Sequence, residues 1–271
     1  MYLYSILFFI LSLTISQTCT AAADSSKPSY SFAVVPQQLT STLFKKWNPL
    51  LIHLSEQTGV ELSFATAKNI SAFEKNLLKQ SYDFAYMNPF HYVTYHKTSD
   101  YHAYAKEKDK QINGILVTKK DSSITDLNSL SAQTLAFPSP KAFAATLLTQ
   151  SDLKKQNIKF NAKYTGSHDT VYFHIAHGHY LAGGGVIRTL NALNKNIRSQ
   201  LRVLHTTKGH TPHAFASHSR VPQHIVQKIK LALTKLYTSD KGKQLLKNLG
   251  LKEVEPASDE NWNDIRKLNL N

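Results

Sequence analysis

The sequence is organised around the stretch Thr134-Leu-Ala-Phe-Pro-Ser-Pro-Lys-Ala-Phe-Ala-Ala-Thr-Leu-Leu148. Its first four residues predict a short buried strand, and Ala142 to Leu148 predict a helix of good helix formers. Pro138 and Pro140 stiffen the connection between them. A strand that leads directly into a helix directs several free backbone N–H groups at one place, with the positive end of the helix dipole behind them. Such a place binds anions, and Lys141 lies beside it; an ordinary strand–helix turn that packs a core is the alternative.

The composition is that of a basic globular protein. Its 271 residues suffice for one large domain or two lobes. Hydrophobic residues make up 42% and charged residues 18%, which excludes a disordered chain. The 32 Lys and Arg residues outnumber 18 Asp and Glu residues, and the net charge of +14 favours anionic ligands. No zinc-finger spacing or ribonucleoprotein motif accompanies this charge, so we expect no nucleic-acid binding.

Residues 1–23 predict a secretory signal peptide. The apolar run Ile6 to Ile15 is followed by the small residues that precede a cleavage site after Ala23. No Lys or Arg precedes the apolar run, so a retained membrane tether, or a lipid on Cys19, is the alternative. Cys19 is the only cysteine. Cleavage would therefore leave a chain without disulfides or cysteine catalysis.

Strands and helices alternate along the rest of the chain. Tyr30–Val35 predicts a strand, and Leu43–Gln57 has the apolar spacing of a helix that ends at Gly59. Tyr82–Met87 predicts another buried strand, and a helix begins at Asn88-Pro89. This order predicts mainly parallel sheets covered on both faces. Further predicted elements are a helix capped by the box Ser71–Glu74, strands Ile112–Thr118, Ile158–Phe160, Tyr180–Ala182, Leu201–His205 and Ala214–Ser217, a turn at Gly183–Gly185, and helices His168–His177, Val186–Leu193, Pro222–Tyr237 and Lys241–Asn248.

Several motifs follow one another in a recognisable order. They are Trp47-Asn-Pro-Leu-Leu51 with Gly59, Asp83-Phe-Ala-Tyr-Met-Asn-Pro89, Leu116-Val-Thr-Lys-Lys-Asp-Ser-Ser-Ile124 with Asp126-Leu127, and Gly166-Ser-His-Asp-Thr170 with Gly178. In this order they resemble the periplasmic substrate-binding proteins of phosphate/phosphite/phosphonate ABC importers. The resemblance implies the type 2 periplasmic-binding-protein fold: two α/β lobes, each a mainly parallel sheet flanked by helices, joined by two crossover strands. It implies a first lobe of residues 24–113 plus 206–271 and a second lobe of residues 114–205.

The resemblance also indicates which residues contact the ligand. Where the family has a Ser-Thr-Ser run at the helix start, this chain has Ala142, Phe143 and Ala144, so the backbone amides remain without the hydroxyls. His168 matches the family's ligand-binding histidine. Two acidic positions that bind the amino group of an aminoalkyl phosphonate are replaced by Arg188 and His213. The predicted ligand-binding residues are Tyr86, Asn88, Lys141, Ala142, Phe143, Ala144, His168, Arg188 and His213.

These replacements make an aminoalkyl phosphonate a poor ligand for this chain. Loss of two carboxylates and gain of Arg188 favour another small anion, such as phosphate, phosphite, a related phosphonate or a carboxylate. A guanidinium can hold such a group through two parallel bonds. We expect this anion to be captured by lobe closure in the periplasm, without a cofactor, and delivered by a monomer to an ABC permease in the inner membrane. A membrane sensor kinase is the alternative partner.

The 13 histidines support a second hypothesis. His174 and His177 lie three residues apart on a predicted helix and, with His179, could bind zinc or iron. A metal carrier is therefore the alternative function. No G-x-S-x-G, H-E-x-x-H or nucleotide-loop motif is present, so we expect no enzymatic activity.

Overall fold

The computed structural model describes residues 28–268 and 270, which form two β-sheets flanked by helices. The strands are β1 Ser29–Val34, β2 Glu61–Ala65, β3 Phe84–Met87, β4 Tyr101–Glu107, β5 Ile115–Lys119, β6 Thr134–Phe137, β7 Asn161–Tyr164, β8 Ala182–Gly185, β9 Leu201–Thr206, β10 Ala214–His218 and β11 Val254–Pro256. The helices are α1 Thr40–Thr58, α2 Ile70–Leu78, α3 Pro89–Ser99, α4 Thr149–Lys155, α5 His168–Ala176, α6 Ile187–Asn191, α7 Lys195–Arg198, α8 Gln223–Thr234, α9 Asp240–Asn248 and α10 Asn263–Arg266. Three 3-10 turns lie at Asn128–Leu130, Leu236–Thr238 and Asp259–Trp262, and a π-helical segment lies at Phe143–Leu148.

The predicted signal peptide at residues 1–23 lies outside the described residues, as does Cys19. Within the described part of the chain, no helix has both the length and the apolar character needed to cross a bilayer.

Each sheet is mixed rather than mainly parallel. The six-stranded sheet has the order β11-β4-β10-β3-β1-β2, in which β1 is parallel to β2 and β3 while β10 is antiparallel to β3 and β4. The five-stranded sheet has the order β7-β6-β8-β5-β9, in which β5 is antiparallel to both its neighbours. Strands β5 and β10 each follow a segment that passes from one sheet to the other. Both run antiparallel to their neighbours, whereas strands joined by βαβ units are parallel.

We call the part built on the six-stranded sheet the first lobe and the part built on the five-stranded sheet the second lobe. Two segments cross between them, residues 108–114 and 207–213, and they pair as an antiparallel bridge between Ile112 and His210. The backbone N–H of Ile112 donates to the His210 carbonyl at 2.7 Å, and the reverse bond is 3.0 Å long. The residues at which the lobes divide, 113/114 and 205/206, stay a prediction.

The lobes are in contact in this conformation. Phe143, Ala144, Leu148 and Val186 of the second lobe belong to the same buried cluster as the core of the first lobe. Hydrogen bonds also cross the cleft, among them one from the His168 backbone N–H to the Gln37 carbonyl at 3.1 Å. The structure therefore describes a closed cleft.

The glycine triplet is a strand and not the turn that the sequence predicts. Gly183, Gly184 and Gly185 are buried residues of β8 and pair with β5. A Cβ on Gly184 would lie 1.8 Å from the Ala145 carbonyl oxygen. The missing side chain lets the π-helical segment pack directly on the sheet, and this close approach is the reason that a run of glycines occurs in a strand interior.

Other predicted boundaries are wrong by a few residues or miss an element. The N-cap of α2 is Asn69, whose Oδ1 accepts from the Ala72 N–H at 2.9 Å, and not the predicted box at Ser71. The predicted strand Ile158–Phe160 forms only at Asn161–Tyr164. Strands β4 and β11 were not predicted from the sequence. The strand Thr134–Phe137 and the Ser167 cap of α5 are confirmed.

Candidate functional site

The start of the π-helical segment leaves three backbone amides free. The Ala142 N–H already donates to the Ser139 carbonyl at 3.2 Å, and the Thr146 N–H donates to the Ala142 carbonyl at 2.8 Å. Between them, the N–H groups of Phe143, Ala144 and Ala145 have no acceptor in the described part of the chain. These unpaired amides are the groups that the strand–helix pattern predicts for an anion site.

The space in front of these amides is almost filled. It is lined by Ala142, Phe143, Ala144 and Ala145 of the second lobe together with Ile70 and other first-lobe residues, and we call it the inner cavity. Phe143 is 1% exposed, and Ile70 packs on Ala142 and Ala145. The centre of a water-sized solute has only about 10 Å³ available to it, which is room for about one water molecule. A tetrahedral anion does not fit there in this conformation.

Arg188 stands in the cleft without a carboxylate partner. It lies early in α6 of the second lobe, and its Nη1 donates to the Tyr86 hydroxyl of the first lobe at 2.9 Å. Its Cζ atom lies 5.7 Å from the centre of the Tyr86 ring. Among the described residues, the bond to Tyr86 is the one hydrogen bond of the Arg188 side chain, whereas a guanidinium offers five N–H donors. Arg220, by contrast, donates to Asp83 at 2.8 Å, and Arg266 pairs with Asp259.

The surroundings keep Arg188 charged. Burial opposes the charge, but Tyr86 and Glu107 outweigh this effect and raise the pKa of Arg188 above its ordinary value. Burial raises the pKa of the Glu107 carboxyl, against the pull of Arg188 and Lys110. Glu107, the acid that raises the pKa of Arg188, is thus a group whose own negative charge is disfavoured by burial. A partly buried cation with unused donors and a weakened counter-charge favours an external anion.

An aromatic stack supports Arg188 from the first lobe. The His213 ring lies nearly parallel to the Tyr86 ring with centroids 4.9 Å apart, and the Trp47 ring packs on Tyr86 with centroids 4.7 Å apart. The Nε2 atom of His213 is buried without a hydrogen-bond partner among the described residues. Burial, with Arg188 next in effect, lowers the pKa of His213 well below its ordinary value. The stack is neutral, and it holds the Tyr86 hydroxyl in place under the guanidinium.

His168 and Asn88 link the lobes more than they line an open space. Both are buried residues of the inner cavity wall. The His168 backbone N–H donates across the cleft to the Gln37 carbonyl, while its Nδ1 lies 3.3 Å from the Thr189 hydroxyl of the same lobe. Asn88 Nδ2 donates to the Lys141 carbonyl across the cleft at 3.2 Å. The Lys141 side chain itself is exposed and does not line the inner cavity. Lys141 therefore contributes its carbonyl to closure, not its charge to a pocket.

A larger space adjoins Arg188. We call it the outer chamber: a space of about 500 Å³ bounded by Arg188, by Glu107 at the end of β4, by the crossing residues Lys110 to Asn113, and by Lys247 to Gly250 at the end of α9. His213 lines both the outer chamber and the inner cavity, so the two spaces adjoin. Gly250, with φ of 70°, contacts the Arg188 stem, since a Cβ there would lie 3.1 Å from Arg188 Cδ. The sequence did not single out any chamber residue except Arg188 and His213, because lysines spread along a chain show no spacing signal.

The structure does not assemble the predicted metal site. His174 Nδ1 lies 2.8 Å from His179 Nδ1, and the His177 Nδ1 lies 2.8 Å from the Phe173 carbonyl. Within the described residues, no group of three or more His, Cys, Asp or Glu side chains is arranged to hold a metal ion. These histidines lie on the surface at the end of α5, away from the cleft residues.

Acidification should destabilise the fold through His168. Burial, followed by Arg188, lowers its pKa to about 3, whereas an unfolded histidine has a pKa of about 6.5. The unfolded state binds more protons between these values, so the free energy of unfolding falls as the pH drops below about 6.5. We expect His168→Gln to remove about 2 kcal/mol of the stability loss between pH 7 and pH 5, measured by urea unfolding. His224→Gln, on the exposed start of α8, is the control. If the free energy of unfolding has the same pH dependence in the unmodified protein, in His168→Gln and in His224→Gln, the effect does not come from His168.

Asn88 should affect both stability and closure, whereas Asn69 should affect stability alone. Each caps a helix, with Oδ1 accepting from His91 N–H at 2.7 Å or from Ala72 N–H at 2.9 Å. Loss of a cap costs about 1 kcal/mol, so both alanine variants should show this in urea unfolding. Asn88→Ala also loses the bond across the cleft, and we expect its affinity for the small anion predicted from the sequence to fall about fivefold. Equal affinities in Asn88→Ala and Asn69→Ala would count against a closure role.

One family model matches most of the chain, and solved structures share its fold. The model of the phosphonate ABC-transporter periplasmic substrate-binding protein family matches residues 32–262. A binding-protein component of an ABC phosphonate transporter from Pseudomonas aeruginosa superposes with a TM-score of 0.82 at 16% identity, over 89% of this chain and 85% of that one. PhnD1 from Prochlorococcus marinus, solved with methylphosphonate, gives a TM-score of 0.80 at 20% identity, over 90% and 99% of the chains. A Xanthomonas citri protein bound to chloride gives 0.72 at 12% identity, over 89% and 95%.

Proposed function

The chain belongs to the family of periplasmic substrate-binding proteins of phosphonate ABC transporters, and we propose that it captures a small anion on Arg188 between its two lobes. The observation that carries this proposal is the guanidinium itself. It lies partly buried between the lobes, with one of its five donors used and no carboxylate within 4.0 Å among the described residues. Burying a charge in this way is costly unless a partner completes it.

The anion is held at Arg188 and not at the helix start. The free amides of Phe143 to Ala145 face a space with room for about one water molecule. Arg188 faces the outer chamber, which is large enough for an anion in the closed conformation. Tyr86 completes the arrangement because its hydroxyl accepts from Arg188 and keeps its own O–H free to donate.

Capture works as a shift between open and closed forms. Arg188 belongs to the second lobe and Tyr86 to the first, so an anion that contacts both stabilises the closed form. The bonds that already cross the cleft, such as Leu39 N–H to Asp169 Oδ2 at 3.3 Å, close the same gap. The protein supplies no covalent chemistry in this scheme. It acts in the periplasm after secretion and delivers the anion to the permease of an ABC importer.

A thermal-shift screen tests the proposal. Phosphate, phosphite, methylphosphonate, methylsulfonate, acetate and zinc chloride are each added at equal ionic strength. A ligand at 100 times its Kd stabilises by about 2.7 kcal/mol, which raises the Tm of a protein of this size by about 5 °C or more. The proposal expects such a shift with at least one oxyanion. A shift with zinc and with none of the anions would overturn it and support the metal carrier.

A further inference from the structure

The outer chamber is larger and more basic than one small anion requires. Its volume of about 500 Å³ lies in the range of about 300–1,000 Å³ that is typical of pockets for organic molecules. Its wall combines Arg188 from the second lobe with residues of the crossing segment and of α9 from the first. A bare tetrahedral anion on Arg188 would leave most of this space to solvent.

The chamber has an excess of positive charge. Lys46, Lys110 and Lys247 line it together with Arg188, against a single acid, Glu107. The lysines that form ion pairs in the described part of the chain lie elsewhere, so none of these three has a carboxylate within 4.0 Å. One monoanion bound to Arg188 leaves these lysines without a counter-charge. Such a concave basic surface concentrates ligands with more than one negative group.

The cations are arranged at two depths. Arg188 lies partly buried in the wall of the outer chamber, and the aliphatic part of its side chain contacts Gly250. Lys110 and Lys247 are exposed at the rim. The backbone of Lys247 is hydrogen-bonded to Gly250, the residue that contacts Arg188, because the Lys247 carbonyl accepts from the Gly250 N–H at 3.0 Å. Asn113 and Asn191 also line the chamber, and the exposed Asn191 offers a neutral hydrogen-bonding group there.

From this arrangement we infer that the preferred substrate is an organic dianion: a short carbon chain with one negative group on Arg188 and a second at the rim between Lys110 and Lys247. This inference rests on the proposed function, because it assumes that Arg188 holds the first group. It adds the class of the substrate. The carbon chain occupies the part of the chamber that small oxyanions leave empty.

Two matched probes test the inference. 3-Phosphonopropanoate carries a carboxylate where propylphosphonate carries a methyl group, on the same three-carbon chain. Isothermal titration calorimetry at low ionic strength should give a Kd at least tenfold lower for 3-phosphonopropanoate. In the double variant Lys110→Gln/Lys247→Gln this advantage should fall below threefold.

A second double variant controls for the general charge of the protein. Lys97→Gln/Lys228→Gln removes the same two charges from exposed positions on α3 and α8 that line neither space, and it should keep the tenfold advantage. Equal affinities for the two probes in the unmodified protein, or an advantage that survives Lys110→Gln/Lys247→Gln, would overturn the dianion inference and leave the proposed function standing. If neither probe nor any small anion of the thermal-shift screen binds, the proposed function fails and the inference fails with it.

Discussion

Replacement of Arg188 by alanine is expected to weaken methylphosphonate binding at least 100-fold in isothermal titration calorimetry. An anion on the guanidinium loses two charge-assisted hydrogen bonds, each worth about 1.5–3 kcal/mol. A loss of about 3 kcal/mol or more corresponds to about two powers of ten in Kd. The fold should survive, because the Arg188 side chain makes one hydrogen bond in the described structure, to the Tyr86 hydroxyl, and is not part of the apolar core.

Two further variants separate charge from geometry. Arg188→Lys keeps the positive charge but loses the planar fork, so we expect an intermediate loss of about tenfold. Arg198→Ala removes an arginine of the same lobe that donates to the Leu201 carbonyl at 3.0 Å and lines neither space. Its affinity should stay within twofold of the unmodified protein. An Arg188→Ala protein that binds methylphosphonate as tightly as Arg198→Ala would remove Arg188 from the site.

Gly184→Ala is expected to lower the free energy of unfolding by about 3 kcal/mol in urea. The added methyl would lie 1.8 Å from the Ala145 carbonyl oxygen and 2.8 Å from Phe137 Cδ1. The first contact is with backbone, so relief requires the π-helical segment to move away from the sheet. Overpacking of a buried site costs about 1–3 kcal/mol and sometimes more. Because this segment packs on the first lobe, its movement should also weaken closure.

Gly209→Ala is the matched control. Its added methyl would meet the exposed Gln111 side chain, with Oε1 at 2.3 Å and Cβ at 2.8 Å, so the side chain must rotate and Gln111 Cβ must also shift. We expect a cost of about 1 kcal/mol, at the low end of overpacking, because the contact is with an exposed side chain and not with buried backbone. A Gly184→Ala protein as stable as Gly209→Ala would contradict the direct contact between the π-helical segment and β8.

Local patterns predicted much of the fold. The strand Thr134–Phe137 and the cap at Ser167 depend on neighbours within a few residues, and both are confirmed. The family and the solute-binding role follow from the order of such local motifs. Strand β4 was missed because its residues, Tyr101 to Glu107, alternate weakly between apolar and polar and become a strand through pairing with distant β10.

The candidate site was harder to predict because it depends on distance across the cleft. The sequence identified Arg188, Tyr86 and His213 as separate candidates, and the structure brings all three together. The sequence did not indicate that Phe143 would be buried against the first lobe and leave little room at the helix start. Lys110 and Lys247 lie 137 residues apart in the chain, and they line the same outer chamber only because of the fold.

The most direct measurement is the position of a bound anion in a crystal. Methylarsonate has the shape and charge of methylphosphonate, and its arsenic atom gives an anomalous signal. We predict one strong arsenic peak in the cleft, with arsonate oxygens about 2.7–3.2 Å from the Arg188 nitrogens. A peak in front of the Phe143 to Ala145 amides, or on the outer surface with the cleft empty, would contradict the account.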